Sequence, residues 1–594
     1  MIIDKLYIPE YLYHGIKSKK GHVGRMKIFG ADIETVKGEP KLLTITHELK
    51  KEKVSIYSVT KKTIMMKFLK HLYDNALKGQ VNLCFFHNLN HDLVALFYAD
   101  YTVLRNSTFV INYGDEITLE VFAGNTWFAN VTFNDHTKVY ILDSFRYVFT
   151  SLAKIAEQLK FKYQKKGKPK FLGEKITPEI IEYARYDTLA ELELANWIMA
   201  QHREYNVTHS VSLANLASEI FKHRFIPKGK VIHIPPSTAR NYAIRSYHGG
   251  RNGLYVDNCP KLIKDVTEID IISSYPDAMV HMPNFLEGAY KNVNKFDKKY
   301  CGVYRVTCDI KPVRYPIVFD DGFKPFNTPV NNHTVYLTNY DIKQAIKNKE
   351  IKIKKIRGVV FVPSEPEETN PLKNYALHFF EKKNNTPKTD SRYLIYKLLL
   401  NALYGKFFQR TEVVNYSLVD GKYVRDSWHK AGGLFNPFIA TMITSYARVH
   451  LNQLENEYQS IHSSTDSIKT TRKINEKTLP KGLGGLTKEV TGDCLLFRNK
   501  LYIHFNNDTF STATITRKIA SMDNSKFLKQ NSKDKMVKYA MHGFQGTLKD
   551  LVRMQRTGER KYTAKRMIKV REAINSKKGK KALQFIEEER NLKL

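Results

Sequence analysis

The chain has 594 residues and carries 95 Lys and Arg against 59 Asp and Glu, a formal charge of +36. That length exceeds one ordinary core and points to several packed domains, while the charge is of the sign that attracts a polyphosphate partner. The excess is spread along the chain, which argues against a membrane surface. The five scattered cysteines (Cys84, Cys259, Cys301, Cys308, Cys494) form no CxxC pair, which argues against a disulfide framework or a zinc site.

The start, Met-Ile-Ile-Asp-Lys, lacks a basic-then-apolar signal pattern, and no run approaches the ~18 apolar residues of a membrane span. The expectation is a soluble protein of a reducing cytoplasm, with no membrane partner. The segment 26–35 (MKIFGADIET) reads as a buried strand, and residues two apart on a strand share a face, so Asp32 and Glu34 point together. Two acids aimed into one pocket suit a divalent ion held by oxygen ligands, although a solvated pair looks the same in sequence. The apolar run Val81–Phe86 is a second strand, and it delivers His87, Asn88, Asn90, His91 and Asp92 at its end. Strand ends are where α/β proteins place chemistry; the plainer alternative is that Asn88 or Asp92 caps the next helix. Thr177-Pro178 is a helix start, and the helix carries Tyr183 and Asp187 four apart on one face. They would serve either to position a water or as a core aromatic beside a surface acid.

Asp-x-Glu, Asn-x-x-x-Asp and Tyr-x-x-x-Asp, in this order, resemble the three exonuclease motifs of the DEDDy proofreading domains. The resemblance implies a ribonuclease H-like fold in which Asp32, Glu34, Asp92 and Asp187 hold two Mg2+ or Mn2+ ions and Tyr183 orients the attacking water. It also implies that Thr35, His87, Asn88 and Ser144 grip single-stranded 3′ ends, assisted by one of Lys165, Lys166 and Lys168.

Further along, Tyr247-x-Gly249-Gly250 offers glycines that let a backbone approach a ligand closely. Residues 266–276 (VTEIDIISSYP) read as a strand ending in Asp270, then a turn closed by Tyr275-Pro276, suited to a metal-bound triphosphate. A helix is predicted from an Asp390 cap through Tyr404 to a stop at Gly405, with Tyr393, Lys397, Asn401 and Tyr404 on one stripe. Such a stripe fits a nucleoside triphosphate, or an exposed amphipathic face. Residues 459–470 read as strand, tight turn and strand with Asp466 at the tip, and 498–503 as a strand with Lys500 and Tyr502 on one face.

Together these resemble the palm and fingers motifs of family B DNA polymerases. The resemblance implies an α/β and α+β multidomain chain, an exonuclease domain followed by a right-hand polymerase of palm, fingers and thumb with two insertions. In it Asp270 and Asp466 hold a second pair of Mg2+ or Mn2+ ions. Lys397, Asn401, Tyr404 and Gly405 take the deoxynucleoside triphosphate, and Tyr275 excludes a ribose 2′-OH. Arg448, Lys500 and Tyr502 contact DNA template and primer, and Tyr247, Gly249 and Gly250 apportion DNA between the sites. The family has Asp-Thr-Asp-Ser at the tip where this chain has Ser464-Thr465-Asp466-Ser467, so the first acid is missing. Retained activity with altered metal preference or rate is expected; a nuclease with a vestigial polymerase half, or a silent DNA-binding scaffold, would be the alternatives.

About 120 residues separate the first palm motif from the fingers helix, too many for a structureless loop, and 413–425 read as a β-hairpin with an Asp-Gly turn. Both insertions resemble those of protein-primed family B polymerases of small tailed phages and linear plasmids. This implies a terminal protein primer, a monomer or a heterodimer with that protein, strand displacement, and a bacterial host's cytoplasm. The implied division is exonuclease 1–207, palm 208–281 and 437–540, first insertion 282–371, fingers 372–408, second insertion 409–436 and a basic thumb 541–594 bearing Lys561, Lys565, Arg566, Lys569 and Arg571.

Overall fold

In the computed structural model the described residues are 13–97, 108–123, 126–165, 176–257, 261–320, 324–419, 422–499, 501–505 and 510–513. The thumb expected at 541–594, Lys166, Lys168 and Lys500 lie outside them. The chain divides into two compact units, one of Lys17–Gly229 with His378–Leu403 and one of Met1–Ile16, Lys230–Leu377 and Tyr404–Leu594.

The unit of Lys17–Gly229 is built on an eight-stranded sheet. Its strands are β1 (Ile28–Val36), β2 (Glu39–Glu48), β3 (Lys53–Ser58), β4 (Val81–Phe86), β5 (Thr108–Tyr113), β6 (Ile117–Ala123), β7 (Trp127–Phe133) and β8 (Lys138–Asp143), in the order β3-β2-β1-β4-β8-β7-β6-β5. β4 pairs in parallel with both β1 and β8, and every other ladder is antiparallel. A central parallel strand is covered on both faces, which is why Val81–Phe86 is a continuous apolar run with five of its six residues buried. Parallel pairing also collects the carboxyl ends of β1, β4 and β8 at one edge, where Asp32, His87 and Asp143 emerge. The helix Pro178–Glu204 starts as expected, with Thr177 at the cap and proline in its first turn. It lies close on β1 because Gly30 has no side chain: a Cβ there would sit 2.7 Å from Leu192 N. In the same unit the helix Ser391–Ala402 is capped by the Asp390 side chain, which accepts from Arg392 N–H. It stops at Ala402, two residues short of the predicted end at Tyr404. Residues Tyr404–Phe408 instead form a 3-10 turn, in keeping with the low helix propensity of Gly405.

The other unit opens with β9 (Asn252–Leu254) and β10 (Lys261–Ile271), followed by β11 (Gly288–Val293), β12 (Cys301–Ile310), β13 (Val330–Thr338) and β14 (Ile351–Pro363). A hairpin, β15 (Arg410–Val419) with β16 (Lys422–Ala431), precedes β17 (His462–Ser464), β18 (Ser467–Thr470), β19 (Leu486–Arg498), β20 (Leu501–Phe505) and β21 (Phe510–Ala513). One seven-stranded sheet runs β9-β17-β18-β10-β19-β20-β21, and a four-stranded sheet runs β11-β14-β12-β13. The four-stranded sheet fills much of the segment expected as the first insertion. Its core, with Val306, Cys308, Ile310, Val335 and Leu337, packs the helix Asn339–Lys347, which starts with a Thr338–Asp341 capping box. The helix Pro437–Tyr458 is buried through most of its length. Residues 498–503, expected as one strand, turn a corner: Arg498 pairs with Leu501 across the β19–β20 hairpin. Among the described residues no helix is long and apolar enough to cross a membrane.

Candidate active sites

At the carboxyl edge of the eight-stranded sheet, β1 presents Asp32 and Glu34 on one face and the helix Pro178–Glu204 brings Asp187 over them. Carboxylate oxygens of the three lie within 4.8 Å of one another. Burial raises the Asp187 carboxyl to about 6, with Asp32 adding to the rise and Lys165 opposing it. Lys165 Nζ donates to Asp187 Oδ2 and lies 5.0 Å from the centre of the Tyr183 ring, the contact of that run seen among the described residues. Tyr183 is itself buried, and its hydroxyl is pushed up to about 12, chiefly by burial.

Asp92 lies in the first turn of the helix Leu89–Phe97, outside the trio, and is 3 % exposed. Burial, then the charges of Asp32 and Asp143, hold its carboxyl well above the usual range. Asp92 Oδ1 and Asp187 Oδ1 are buried and accept no hydrogen bond. An all-oxygen donor set with such orphaned acceptors fits hard divalent cations such as Mg2+ or Mn2+.

The residues around this cluster differ from expectation. Ser144 is fully buried, with Oγ 3.0 Å from Glu191 Oε2 and 2.9 Å from His87 Nδ1, and His87 Nε2 lies 2.9 Å from Thr150 O. Both His87 nitrogens and the Ser144 hydroxyl are thus engaged inside the protein, which removes them from direct hydrogen bonding to a strand and makes them supports of the β4 end. Asn88 has φ 73° and its N–H donates to Asp143 Oδ1 at 2.9 Å. Thr35 remains half-buried at the end of β1. Sequence reasoning missed Asp143 and Glu191; Glu191 stands four residues after Asp187 on the same helix face, a spacing that could have revealed it.

The second cluster sits on the seven-stranded sheet. β10 pairs Asp270 with Ser467 on β18, and Ile271 N–H donates to Asp466 O at 2.8 Å, so the two aspartates share one corner. Burial, then the negative charges of Asp466, Glu489 and Glu268, raise Asp270 to about 7, and burial raises Asp466. Asp270 Oδ1 accepts no hydrogen bond, and this donor set too fits a hard divalent cation. Two residues before Asp270, Glu268 Oε2 lies 2.5 Å from Lys469 Nζ, and its Oε1 accepts from Ser467 Oγ at 3.2 Å. Burial would raise Glu268, but His504 and Lys469 hold it at about 2. This second acid-x-acid strand ending, Glu268-Ile269-Asp270, was legible in the sequence and passed over.

Tyr275 and Tyr404 stack with ring centres 3.7 Å apart, and Tyr247 stacks on Phe408 at 3.6 Å. Of the two glycines after Tyr247, Gly249 faces open space. A Cβ on Gly250 would lie 2.7 Å from Thr465 Cγ2 and 3.0 Å from Tyr275 Oη, so this close approach is to the protein itself. Thr465 N–H donates to Arg251 O at 2.7 Å, and the buried Arg251 guanidinium reaches Glu455 at 2.6 Å. Gly405 opens on space, and on the helix of the other unit Lys397 and Asn401 are exposed.

Arg448 and Tyr502 correct the sequence reading. The Arg448 guanidinium is enclosed, donating to His248 O at 2.6 Å and to Asp341 Oδ1 at 3.2 Å, because the helix that carries it is buried on nearly every side. It braces the backbone before Gly249 and cannot meet a phosphate. Tyr502 is in a small core with Val266, Ile461, Cys494 and Leu496, and its ring lies 4.2 Å beneath Lys469 Nζ.

The sequence model of DNA polymerase type B, organellar and viral, matches residues 167–482. A "Probable DNA polymerase" of Neurospora intermedia is 24% identical over 339 residues, 49% of this chain and 34% of that one. Another, of Agaricus bitorquis, is 25% identical over 322 residues, 51% and 39%. The matched stretch is therefore well under half the length of these relatives. In three dimensions the chain is similar to phi29 DNA polymerase complexed with single-stranded DNA. The TM-score is 0.63 at 18% identity, covering 86% of this chain and 94% of that one. The same polymerase with primer-template DNA and incoming nucleotides gives 0.64 over the same shares, a likeness of fold. With more than half its length matched by that model, the chain belongs to the type B DNA polymerases of the organellar and viral kind.

Proposed function

We propose that the chain is a template-directed DNA polymerase carrying its own 3′→5′ exonuclease, and that it starts synthesis from the hydroxyl of a terminal protein. The observation that carries the reading is the corner where Asp270 and Asp466 meet beside the stacked Tyr275 and Tyr404. Family membership supports synthesis. The separate Asp32, Glu34 and Asp187 cluster supports excision. The four-stranded sheet and the β15–β16 hairpin support the assignment of 282–371 and 409–436 as the two insertions, the first as the terminal-protein region.

Divalent ions held by Asp270 and Asp466, and by Asp32, Glu34, Asp92 and Asp187, would neutralise the attacking and leaving oxygens of in-line phosphoryl displacement. In synthesis the primer hydroxyl attacks the α-phosphate and pyrophosphate leaves. Lys397 and Asn401 hold the triphosphate, and the Tyr275–Tyr404 pair forms a wall against the sugar that disfavours a 2′-OH. In excision Tyr183, steadied by Lys165, orients the water. Most of the rate gain then comes from positioning and charge.

The test is a 5′-labelled primer on a longer template with Mg2+, with and without deoxynucleotides. Extension with nucleotides and shortening without them is expected. Shortening in both reactions would leave a nuclease with a vestigial polymerase half, and DNA binding without turnover would leave a scaffold. Initiation is tested by transfer of a labelled deoxynucleotide to a candidate terminal protein.

A further inference from the structure

Beside the excision cluster, Ser144 Oγ has a single proton and two neighbours that ordinarily accept one, Glu191 Oε2 at 3.0 Å and His87 Nδ1 at 2.9 Å. His87 Nε2 faces the carbonyl of Thr150 at 2.9 Å, and a carbonyl can only accept, so Nε2 carries a proton. Only two arrangements satisfy all three bonds and also give the buried Ser144 proton an acceptor. Either His87 is an imidazolium that donates to Ser144, which donates to an ionised Glu191, or Glu191 is a protonated acid that donates to Ser144, which donates to a neutral His87.

The surroundings choose between them. Glu191 is 1 % exposed and its second oxygen, Oε1, accepts no hydrogen bond, a costly setting for a carboxylate and a milder one for the carbonyl oxygen of an acid. Asp143, Asp32 and Asp187 all act on it with like charge, while Lys165 disfavours a positive charge on His87. Burial pushes the Glu191 carboxyl well up and the His87 imidazole down to about 4, in the same sense.

We propose that Glu191 is a positioning residue of the excision site: a neutral, proton-donating acid that fixes Ser144 and the Nε2–H tautomer of His87, and through them the end of β4 that leads into Asn88 and Asp92. The proposal rests on the excision reading of this cluster. Asn88 is held at φ 73° by Asp143, immediately after His87, so a change in the ring's hydrogen bonds is felt at the turn that carries Asp92. The family's three exonuclease motifs, as they stand in this sequence, do not include Glu191.

Nitrogen NMR of the intact, metal-free chain, with His87 assigned from a His87→Gln sample, should show a neutral Nε2–H ring at pH 7. Glu191→Gln keeps a donor toward Ser144 and should retain Mn2+ binding, read by electron paramagnetic resonance, and excision within about twofold. Glu191→Ala removes the donor and should weaken both by about 10–100-fold, the scale of a lost support behind a ligand, with primer extension as the internal control of folding. An imidazolium at His87, or a Glu191→Gln chain as impaired as Glu191→Ala, overturns the proposal. A parent chain that extends primers but never shortens them overturns the excision reading and, with it, the positioning role, whatever the His87 spectrum shows of the Glu191 proton.

Discussion

Ile271 donates its backbone N–H to the carbonyl of Asp466 at 2.8 Å, so the strand end that carries Asp270 and the turn that carries Asp466 are joined by the main chain itself. Ser464, where the family has an acid, pairs with Ser467 across the base of this turn. The turn's geometry does not call on that acid: Asp466 N–H donates to Ser464 O, Ser467 Oγ donates to the same carbonyl, and the sharpest residue, Thr465 at φ 60°, is supported by Arg251 O.

The two carboxylate sites should be separable. Asp466→Ala is expected to lower primer extension by about a thousandfold, the scale of removing one charge-stabilising group from a reacting centre, and to leave shortening intact. Asp32→Ala should do the reverse. Loss of both activities in either variant, on a gel of the same labelled primer, would contradict two independent sites.

Gly250→Ala should impair extension while Gly249→Ala leaves it within about twofold, because only at Gly250 would a Cβ press on Thr465 and Tyr275. The double variant Gly250→Ala with Thr465→Ser removes the methyl at 2.7 Å and should recover part of the loss. Steady-state incorporation of one nucleotide measures all three.

Arg448→Met should act on stability and not on DNA affinity. It strips the partner from buried Asp341, a loss of about 3–5 kcal/mol by the usual cost of breaking a buried pair. Thermal unfolding should show a lower midpoint. The salt dependence of DNA binding should keep its slope, since no phosphate contact is lost.

In the unit of Lys17–Gly229 three buried histidines should oppose folding in mild acid. Burial lowers His71, His87 and His202 from 6.5 to about 4 each. Their folded values lie below the unfolded one, so the unfolded chain takes up protons first. Their contribution is complete above pH 6.5 and declines as pH falls toward 4, by up to about 1.4 kcal/mol per pH unit for each ring. Burial raises the carboxyls of Asp187, Asp92, Asp143 and Glu191, which act in the opposite sense, so the histidine contribution is read as a difference: in unfolding melts from pH 7 to 5 the parent chain should lose stability relative to His202→Gln.

Much of the fold was legible because it rests on local rules. The apolar run Val81–Phe86, the Thr177-Pro178 start and the Asp390 cap lie where periodicity and capping put them. The misjudged positions depended on partners distant in sequence. Arg448 looks like a basic residue for a phosphate until Asp341, 107 residues away, is seen to hold it. Ser144 looks like a surface hydroxyl until the helix bearing Glu191 closes over it. The Arg498–Ile503 strand failed because alternation marks which residues share a face and says nothing about where a hairpin folds back.

The sequence by itself determined the two acid sets, their order and the strand ends and helix that carry them, because spacings of two and four residues put side chains on shared faces whatever the rest of the chain does. Tertiary structure alone decided which of these groups are enclosed, which lysine meets Asp187, and that Glu191, Asp143 and Glu268 stand beside the acids. Burial and charge pairing are properties of the neighbours that packing supplies, and Gly30, by letting a helix approach within a few ångströms, illustrates how one missing side chain sets them.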